Sequence, residues 1–215
     1  MAHEDHENLD ERMLHRMLFF TDAVFAIVLT LLVLELKPPE SWREANAETL
    51  RHAAPHIAAF AFSFFIIGVF WTAHMNTTRR LARFDWPTAM ANLLFLLPVC
   101  LLPFATAWFG ADLSGAVAWG LYCWTLVAIS AANIVMVLTA YRGGGKLNAG
   151  GSPPGERLYR LVRAAAPGIA FAVGLAGLAA GQVIPAHFCA ALIPVVFWSA
   201  QWLLKPKPAP AAEPA

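Results

Sequence analysis

The amino-acid sequence predicts an all-α integral membrane protein with six transmembrane helices. Hydrophobic residues make up 59% of the 215-residue chain and charged residues only 13%, about half the charged share of an average soluble domain. The apolar residues are gathered into blocks of about 20, and a helix of that length crosses the ~30 Å hydrocarbon layer of a bilayer. Because the blocks lack the alternating pattern of barrel strands, we expect helices, whose backbone groups are hydrogen-bonded within each segment.

Each apolar block defines one predicted span. A charged N-terminal arm, residues 1–16, precedes the first span, and a proline-rich tail, residues 205–215, follows the last and is expected to be disordered. Residues 17–204 then form one six-helix domain. The predicted spans are 17–36, 54–74, 88–109, 115–140, 160–181 and 185–204.

The basic residues are distributed unequally between the two ends of these spans. Lysine and arginine near span ends are retained on the cytoplasmic side of a membrane. Of the 15 such residues, 12 fall on one side, and only Lys37, Arg43 and Arg51 fall on the other. Both termini lie on the basic side. We therefore expect a multi-pass protein of the cell membrane with a cytoplasmic N-terminal arm and a cytoplasmic C-terminal tail.

Composition and motifs argue against several classes of function. A net charge of +1 does not favour nucleic-acid binding. The sequence contains no GxGxxG, Walker, HExxH or GxSxG pattern and no TVGYG potassium filter. Its three cysteines lie inside apolar blocks without metal-ligand or disulfide spacing. We expect no catalytic residue, no metal site and no cofactor, so the protein is predicted not to be an enzyme.

Asp22 is an ionisable residue that lies about four to six residues inside the first apolar block. An ionised carboxylate in a span is costly without a partner, so such residues are candidates for function. Two interpretations remain open. Asp22 relays protons in a carrier, or it lies near the lipid headgroups and bonds to Arg16 or to a neighbouring helix.

Helical geometry separates a second set of residues on the same span. At about 100° per residue, one face carries Ile27, Thr30, Leu31 and Leu34, and Asp22 points about 140° away from Ile27. An apolar stripe of this kind ordinarily contacts lipid or the protein core. The geometry alone therefore demands no further role for this face.

Polar side chains also mark the second and third spans. Trp71 and His74 form a polar end to the second span, and Asn92 lies within the third. A single histidine without a second ligand at metal spacing is more often a hydrogen-bonded helix-end residue than a metal ligand. The Asn92 amide is suited to joining helices by hydrogen bonds.

One pattern in the first span resembles a known family. Arg16, Phe20, Thr21 and Asp22 follow the R-x-x-x-F-S-D signature of the transmembrane protein 175 family of potassium channels, with threonine at the serine position. Threonine keeps the hydroxyl group. A second stretch is similar to the second and third helices of the family, and it contains Trp71-Thr-Ala-His74, Arg83, Asp85, Asn92-Leu-Leu and Leu102-Pro103-Phe104. The resemblance covers roughly residues 12–108.

The resemblance implies a homotetramer in the lipid bilayer whose first helix lines a central potassium pore. The family uses a hydrophobic constriction on this helix in place of a carbonyl filter. Ile27 corresponds to the isoleucine of the constriction and Thr30 to the pore threonine, whereas Leu34 would form an outer apolar ring. Leu31 is a neighbouring candidate. These are the residues that the helical wheel places on one face.

The resemblance also implies a network that holds the helices together. Its implied members are Arg16, Phe20, Thr21, Asp22, Trp71, His74, Asp85 and Asn92. The helical wheel instead puts Arg16 near the stripe of Ile27, at the cytoplasmic mouth of a pore, and both positions stay open. The alternative function is a secondary transporter or proton-coupled carrier that uses Asp22. Inverted repeats would favour such a carrier, and the two halves of the chain show no convincing correspondence.

Overall fold

The computed structural model describes residues 2–36, 47–148, 152–182 and 188–204, with side chains from residue 9 onward. The principal helices are α1 (Ala2–Leu34), α2 (Ala47–Thr78), α3 (Trp86–Ala111), α4 (Ala116–Ala140), α5 (Glu156–Ala179) and α6 (Leu192–Leu204). Two short 3-10 helices are Arg142–Gly144 and Phe188–Ala191. The tail predicted to be disordered, 205–215, lies outside the described residues.

Five of the described helices are long and apolar enough to cross a membrane. These segments are Leu9–Leu34, Ala47–Thr78, Trp86–Ala111, Ala116–Ala140 and Glu156–Ala179. A sixth apolar segment, Phe188–Leu204, is shorter. The predicted all-helical membrane architecture is confirmed. The sixth span stays a prediction, because its first residues, 185–187, lie outside the described part of the chain.

The predicted boundary between the N-terminal arm and the first span is not a break in the structure. α1 runs without interruption through 33 residues from Ala2. Residues 2–16 contain neither proline nor glycine, the two residues that oppose a helix most strongly. Leu14 is buried in a small core with Val137 and Tyr141, which fixes this end of α1 against the end of α4. The arm is therefore the first part of α1.

Aromatic residues of α3, α4 and α5 fill the main core. Trp119 and Tyr122 of α4 are stacked with ring centroids 5.8 Å apart, and Phe109 lies 5.0 Å from Tyr122. Three hydroxyl groups in and beside this core are hydrogen-bonded to one another. The Tyr122 hydroxyl and Ser63 Oγ are 2.9 Å apart, and Thr106 donates to Ser63 Oγ at 2.8 Å. These bonds connect α2, α3 and α4 at a depth where water cannot satisfy a hydroxyl group.

α4 and α5 approach each other closely at one serine. Ser130 of α4 donates to the Ala164 carbonyl at 2.7 Å and accepts the Gly168 N–H at 2.8 Å. The hydroxyl thus stands between two backbone groups of α5 beside Pro167, which has no N–H to give. A Cβ atom on Gly168 would lie only 2.7 Å from Ser130 Cβ. The missing side chain of Gly168 makes this approach possible.

The two basic loops of the described chain are tied to each other at one end of the helices. The Ala82 N–H donates to the Leu147 carbonyl at 2.8 Å, and Leu81 and Asn148 form an isolated antiparallel bridge. These contacts hold the end of α2, the start of α3, the end of α4 and the loop that leads to α5. This common end, called the basic end below, is the predicted cytoplasmic side.

Candidate functional site

α1 presents two different faces. On one face Phe25, Val28 and Leu32 are at most 1% exposed and lie in the main core. On the other face Ile27 is 57% exposed and Leu34 is 68% exposed. The 3.6-residue period of the helix separates these two sets. A single copy of the chain therefore leaves an apolar face of α1 uncovered.

Thr30 and Leu31 lie on this uncovered face as well. Leu31 is 41% exposed, and the Thr30 side chain is also exposed. The Thr30 hydroxyl donates to the Ile27 carbonyl at 2.8 Å, so its oxygen remains able to accept a hydrogen bond or to face a cation. Ile27 and Leu34 are seven residues apart, about 10 Å along the axis. The face thus has a polar oxygen between two apolar layers.

Arg16 and Phe20 lie on the same stripe, nearer to the basic end. By the turn of the helix both residues fall within about 20° of Ile27. Phe20 is 50% exposed and Arg16 is exposed. The structure therefore places these two signature residues on the uncovered face of α1. They do not join the helix-packing network that the resemblance implied. Helical periodicity is the reason, because residues 16, 20 and 27 are separated by close to whole numbers of helical turns and so lie on one side of the helix.

A buried chain of hydrogen bonds joins α1, α2 and α3. Asn92 Nδ2 donates to Thr21 Oγ1 at 2.8 Å, and the Thr21 hydroxyl donates to the Met17 carbonyl at 2.9 Å. Asn92 Oδ1 can only accept, so it receives the Nε2–H of His74 at 2.8 Å. The His74 ring stacks on Phe95, with the centroids 5.4 Å apart. Thr21, Asn92 and His74 each have a hydrogen-bond partner in this chain, and His74 acts as a hydrogen-bonded helix-end residue.

Asp22 lies beside this chain on α1 and has its own partner on α2. The Trp71 Nε1–H donates to Asp22 Oδ1 at 2.9 Å. Asp22 is exposed in the single chain, so the carboxylate is held at the surface of the protomer. Among the described residues, no three His, Cys, Asp or Glu side chains are placed to hold a metal ion.

Asp85 does not take part in the hydrogen-bond chain of Thr21, Asn92 and His74. It caps the start of α3, where the Thr88 N–H donates to Asp85 Oδ1 at 3.3 Å, and it pairs with Arg142 at the end of α4. The sequence carries a signal for this role, since aspartate followed within two residues by proline is typical of a helix start. Asp85 therefore fastens the two basic loops together.

Sequence reasoning missed a buried ionic cluster at the basic end. Glu156, 4% exposed, accepts hydrogen bonds from Arg80 and from Arg160, each at 2.9 Å. Arg160 also donates to the carbonyl of Asn76 near the end of α2. The spacing of Glu156 and Arg160, four residues apart on one helix, was the available signal. The cluster ties the start of α5 to the end of α2.

Comparison with known proteins identifies relatives of this chain. The family model described as "Endosomal/lysosomal potassium channel TMEM175" matches residues 16–103. A potassium channel of Streptomyces collinus is 31% identical over 184 residues, which cover 80% of this chain and 87% of that protein. A potassium channel of Chryseobacterium sp. is 36% identical over 95 residues, which cover 43% of this chain and 47% of that protein.

More distant relatives include an animal protein and a solved structure. The endosomal/lysosomal proton channel TMEM175 of Mus musculus is 27% identical over 132 residues, which span 59% of this chain but 26% of that protein. The crystal structure of a lysosomal potassium-selective channel TMEM175 homolog from Chamaesiphon minutus has a TM-score of 0.74 and 25% identity, covering 88% of this chain and 98% of that one. The shared fold thus extends beyond the region matched by the family model. On the extent of these similarities, above all to the Streptomyces protein, the chain belongs to the TMEM175 family.

Proposed function

We propose that this chain is one subunit of a potassium-permeable channel, a homotetramer in which four copies of α1 surround a central pore. The observation that carries the proposal is the uncovered face of α1, where Ile27 is 57% exposed although it is apolar. The bacterial relatives are named potassium channels, so potassium is the ion that we propose to pass along this face. Closed rotational symmetry would bring four identical copies of each side chain to one axis.

Within such a pore the constriction is hydrophobic. Rings of Ile27 and Leu34 side chains would form narrow and poorly wetted layers, and constrictions of this type gate by excluding water. The Thr30 oxygen lies between these layers and offers a replacement for part of the hydration shell of a passing ion. Potassium holds its water less tightly than sodium, so it passes at lower cost. This is our explanation for moderate selectivity.

The orientation of the pore follows from the basic end. The predicted topology puts this end in the cytoplasm, so four Arg16 side chains would surround the inner mouth of a channel in the cell membrane. A ring of guanidinium groups repels entering cations, and the repulsion falls as salt screens it. Arg16 would then tune conductance without forming the constriction.

The competing function is a carrier that uses Asp22. The Asp22 carboxylate is engaged with the Trp71 indole, which favours a role in holding α1 against α2. The Asp22→Asn variant should then mainly reduce assembly and yield. In a proton-coupled carrier the same variant would abolish transport while leaving the assembly intact. The mouse relative is named a proton channel. Proton permeation should therefore be measured whether the protein is a channel or a carrier.

The experiment that tests the proposal is current recording from the purified protein in planar bilayers. With potassium on one side and sodium on the other, unitary steps and a reversal potential displaced toward the potassium equilibrium value are expected. A proton gradient imposed on the same bilayer measures proton current directly. Proton-dependent uptake into liposomes without unitary steps would replace the channel by a carrier.

A further inference from the structure

A small polar cavity lies at the basic end between α2, α4 and α5. Its polar lining residues are Asn76, Thr77, Asn133, Arg160 and Arg163. The cavity has a volume of about 10 Å³, which is room for a single oxygen-sized group such as a water molecule.

Two buried polar atoms of this lining have no hydrogen-bond partner within the described ranges. They are Asn133 Oδ1 and Arg160 Nε, on side chains of residues that are 1% and 6% exposed. Buried polar groups are nearly always paired. An oxygen that accepts from Arg160 and donates to Asn133 would satisfy both atoms, and water or a hydroxyl group has this capacity.

The charge around the cavity is unbalanced. Glu156 is already paired with Arg80 and Arg160. Arg163 donates to the Tyr159 hydroxyl at 2.9 Å, and its guanidinium carbon lies 4.7 Å from the centre of the Phe197 ring. Among the residues that the structure describes, no carboxylate pairs with Arg163. The charge of this half-buried arginine is therefore available to pair with an anion from outside the chain.

An apolar groove of about 440 Å³ runs from Arg163 along α2. The residues that line only the groove are Phe64, Phe65, Gly68, Val69, Trp71, Thr72 and Phe197. Arg163 and Ala73 border both the groove and the polar cavity. The distance along α2 from Phe64 to Ala73 is about 14 Å. That is about half of the ~30 Å hydrocarbon layer, so the groove matches the acyl chain of one leaflet.

We propose that the cavity and the groove together form the binding site of one anionic phospholipid from the leaflet at the basic end. The phosphate lies at Arg163, where the guanidinium makes charge-assisted hydrogen bonds to its oxygens. One acyl chain follows the groove past Gly68. A headgroup hydroxyl or a water enters the small cavity and bridges Arg160 and Asn133. No residue that lines the cavity or the groove belongs to α1, so the site goes beyond the proposed pore.

Two variants test the two halves of this site. Arg163→Gln removes the charge and keeps a polar side chain of similar reach. Gly68→Leu fills the groove and leaves every charge in place, and the first atom of its side chain has room, because no atom lies within 4 Å of an added Cβ. The matched control is Arg157→Gln, which changes an exposed arginine of the same helix that does not line the cavity or the groove.

The measurement is native mass spectrometry of the full-length protein incubated with phosphatidylglycerol and phosphatidylcholine that carry identical acyl chains. Both lipids carry a phosphate, but the choline cation of phosphatidylcholine offsets its charge and offers no hydroxyl group to the small cavity. The wild type and Arg157→Gln should therefore retain phosphatidylglycerol about tenfold more strongly, equivalent to about 1.4 kcal/mol. Arg163→Gln should lose most of this preference. Gly68→Leu should reduce retention of both lipids.

Three results would overturn the assignment. The first is equal retention of the two lipids by the wild type, and the second is an unchanged preference in Arg163→Gln. The third is a Gly68→Leu protein that keeps its lipid but loses subunits in the same spectra, which would make the groove an interface between copies of this chain. Gly68→Leu still tests the groove if Arg163→Gln fails to fold.

Discussion

Gly168 determines how closely α5 packs on α4, and Gly168→Ala is expected to destabilise the protein. The new Cβ would lie 2.7 Å from Ser130 Cβ and 2.9 Å from Ser130 Oγ, whereas carbon atoms in contact keep about 3.5–4.0 Å. The helices must separate by about 1 Å, which also lengthens both hydrogen bonds of Ser130. Overpacking of this kind costs about 1–3 kcal/mol.

Thermal unfolding of the detergent-purified protein measures this effect. For a chain of this size the predicted cost lowers the melting temperature by roughly 2–12 °C. Gly68→Ala is the matched control, because it makes the same change inside a helix where an added Cβ meets no atom within 4 Å. That variant should be neutral or more stable by about 0.5–1 kcal/mol, since alanine favours the helix. Equal shifts for the two variants would refute the close approach of α4 and α5.

Further predictions concern the ionic cluster, the hydrogen-bond chain and the pore mouth. Glu156→Gln leaves Arg80 and Arg160 without their carboxylate and should cost about 3 kcal/mol in thermal unfolding, the lower end of the range for a broken buried pair because Arg80 is 33% exposed. An unchanged melting temperature would contradict this. Asn92→Leu removes both hydrogen bonds of the amide and should cost about 1–2 kcal/mol in the same assay, whereas a stabilised variant would contradict the network. Arg16→Gln should raise unitary potassium conductance at low ionic strength and lose that effect in high salt; a conductance that is unchanged at low salt places Arg16 away from the pore.

Hydropathy located the central helices closely and the ends of others poorly. The span predicted at 115–140 is α4, Ala116–Ala140, and the span predicted at 88–109 lies within α3, Trp86–Ala111. α2 begins at Ala47, seven residues before its predicted span. Hydropathy locates only the apolar part of a helix, which lies in the hydrocarbon layer. The helix itself continues into water wherever its residues tolerate the helical backbone. The polar first part of α1 is the same case.

The residue types of the hydrogen-bond chain were predictable, but their pairing was not. His74 and Asn92 stood out as polar groups of the predicted spans, and Thr21 was implied by the family signature. Their 2.8 Å contacts depend on how three helices pack. Asp85 was assigned by resemblance to the same network, although its own position before a helix indicated a cap. Local capping rules act within one turn and were the better guide for this residue.

The contact between Ser130 and Gly168 had no signal in the sequence. Serine and glycine occur throughout membrane helices, and nothing near either residue identifies the other. The uncovered face of α1 is a different case, because helical periodicity grouped Ile27, Thr30, Leu31 and Leu34 correctly on one side. Periodicity could not say whether lipid, another subunit or an aqueous pore covers that side.

The most direct test of the pore is the reversal potential of Ile27→Asn with potassium and sodium on opposite sides of a planar bilayer. Ile169→Asn is its matched control, because Ile169 lies on α5 and is 56% exposed, close to the 57% of Ile27. If α1 lines the pore, Ile27→Asn shifts the reversal potential toward zero as sodium enters, and Ile169→Asn keeps the wild-type value. An Ile27→Asn protein with wild-type conductance and reversal potential would contradict the pore assignment.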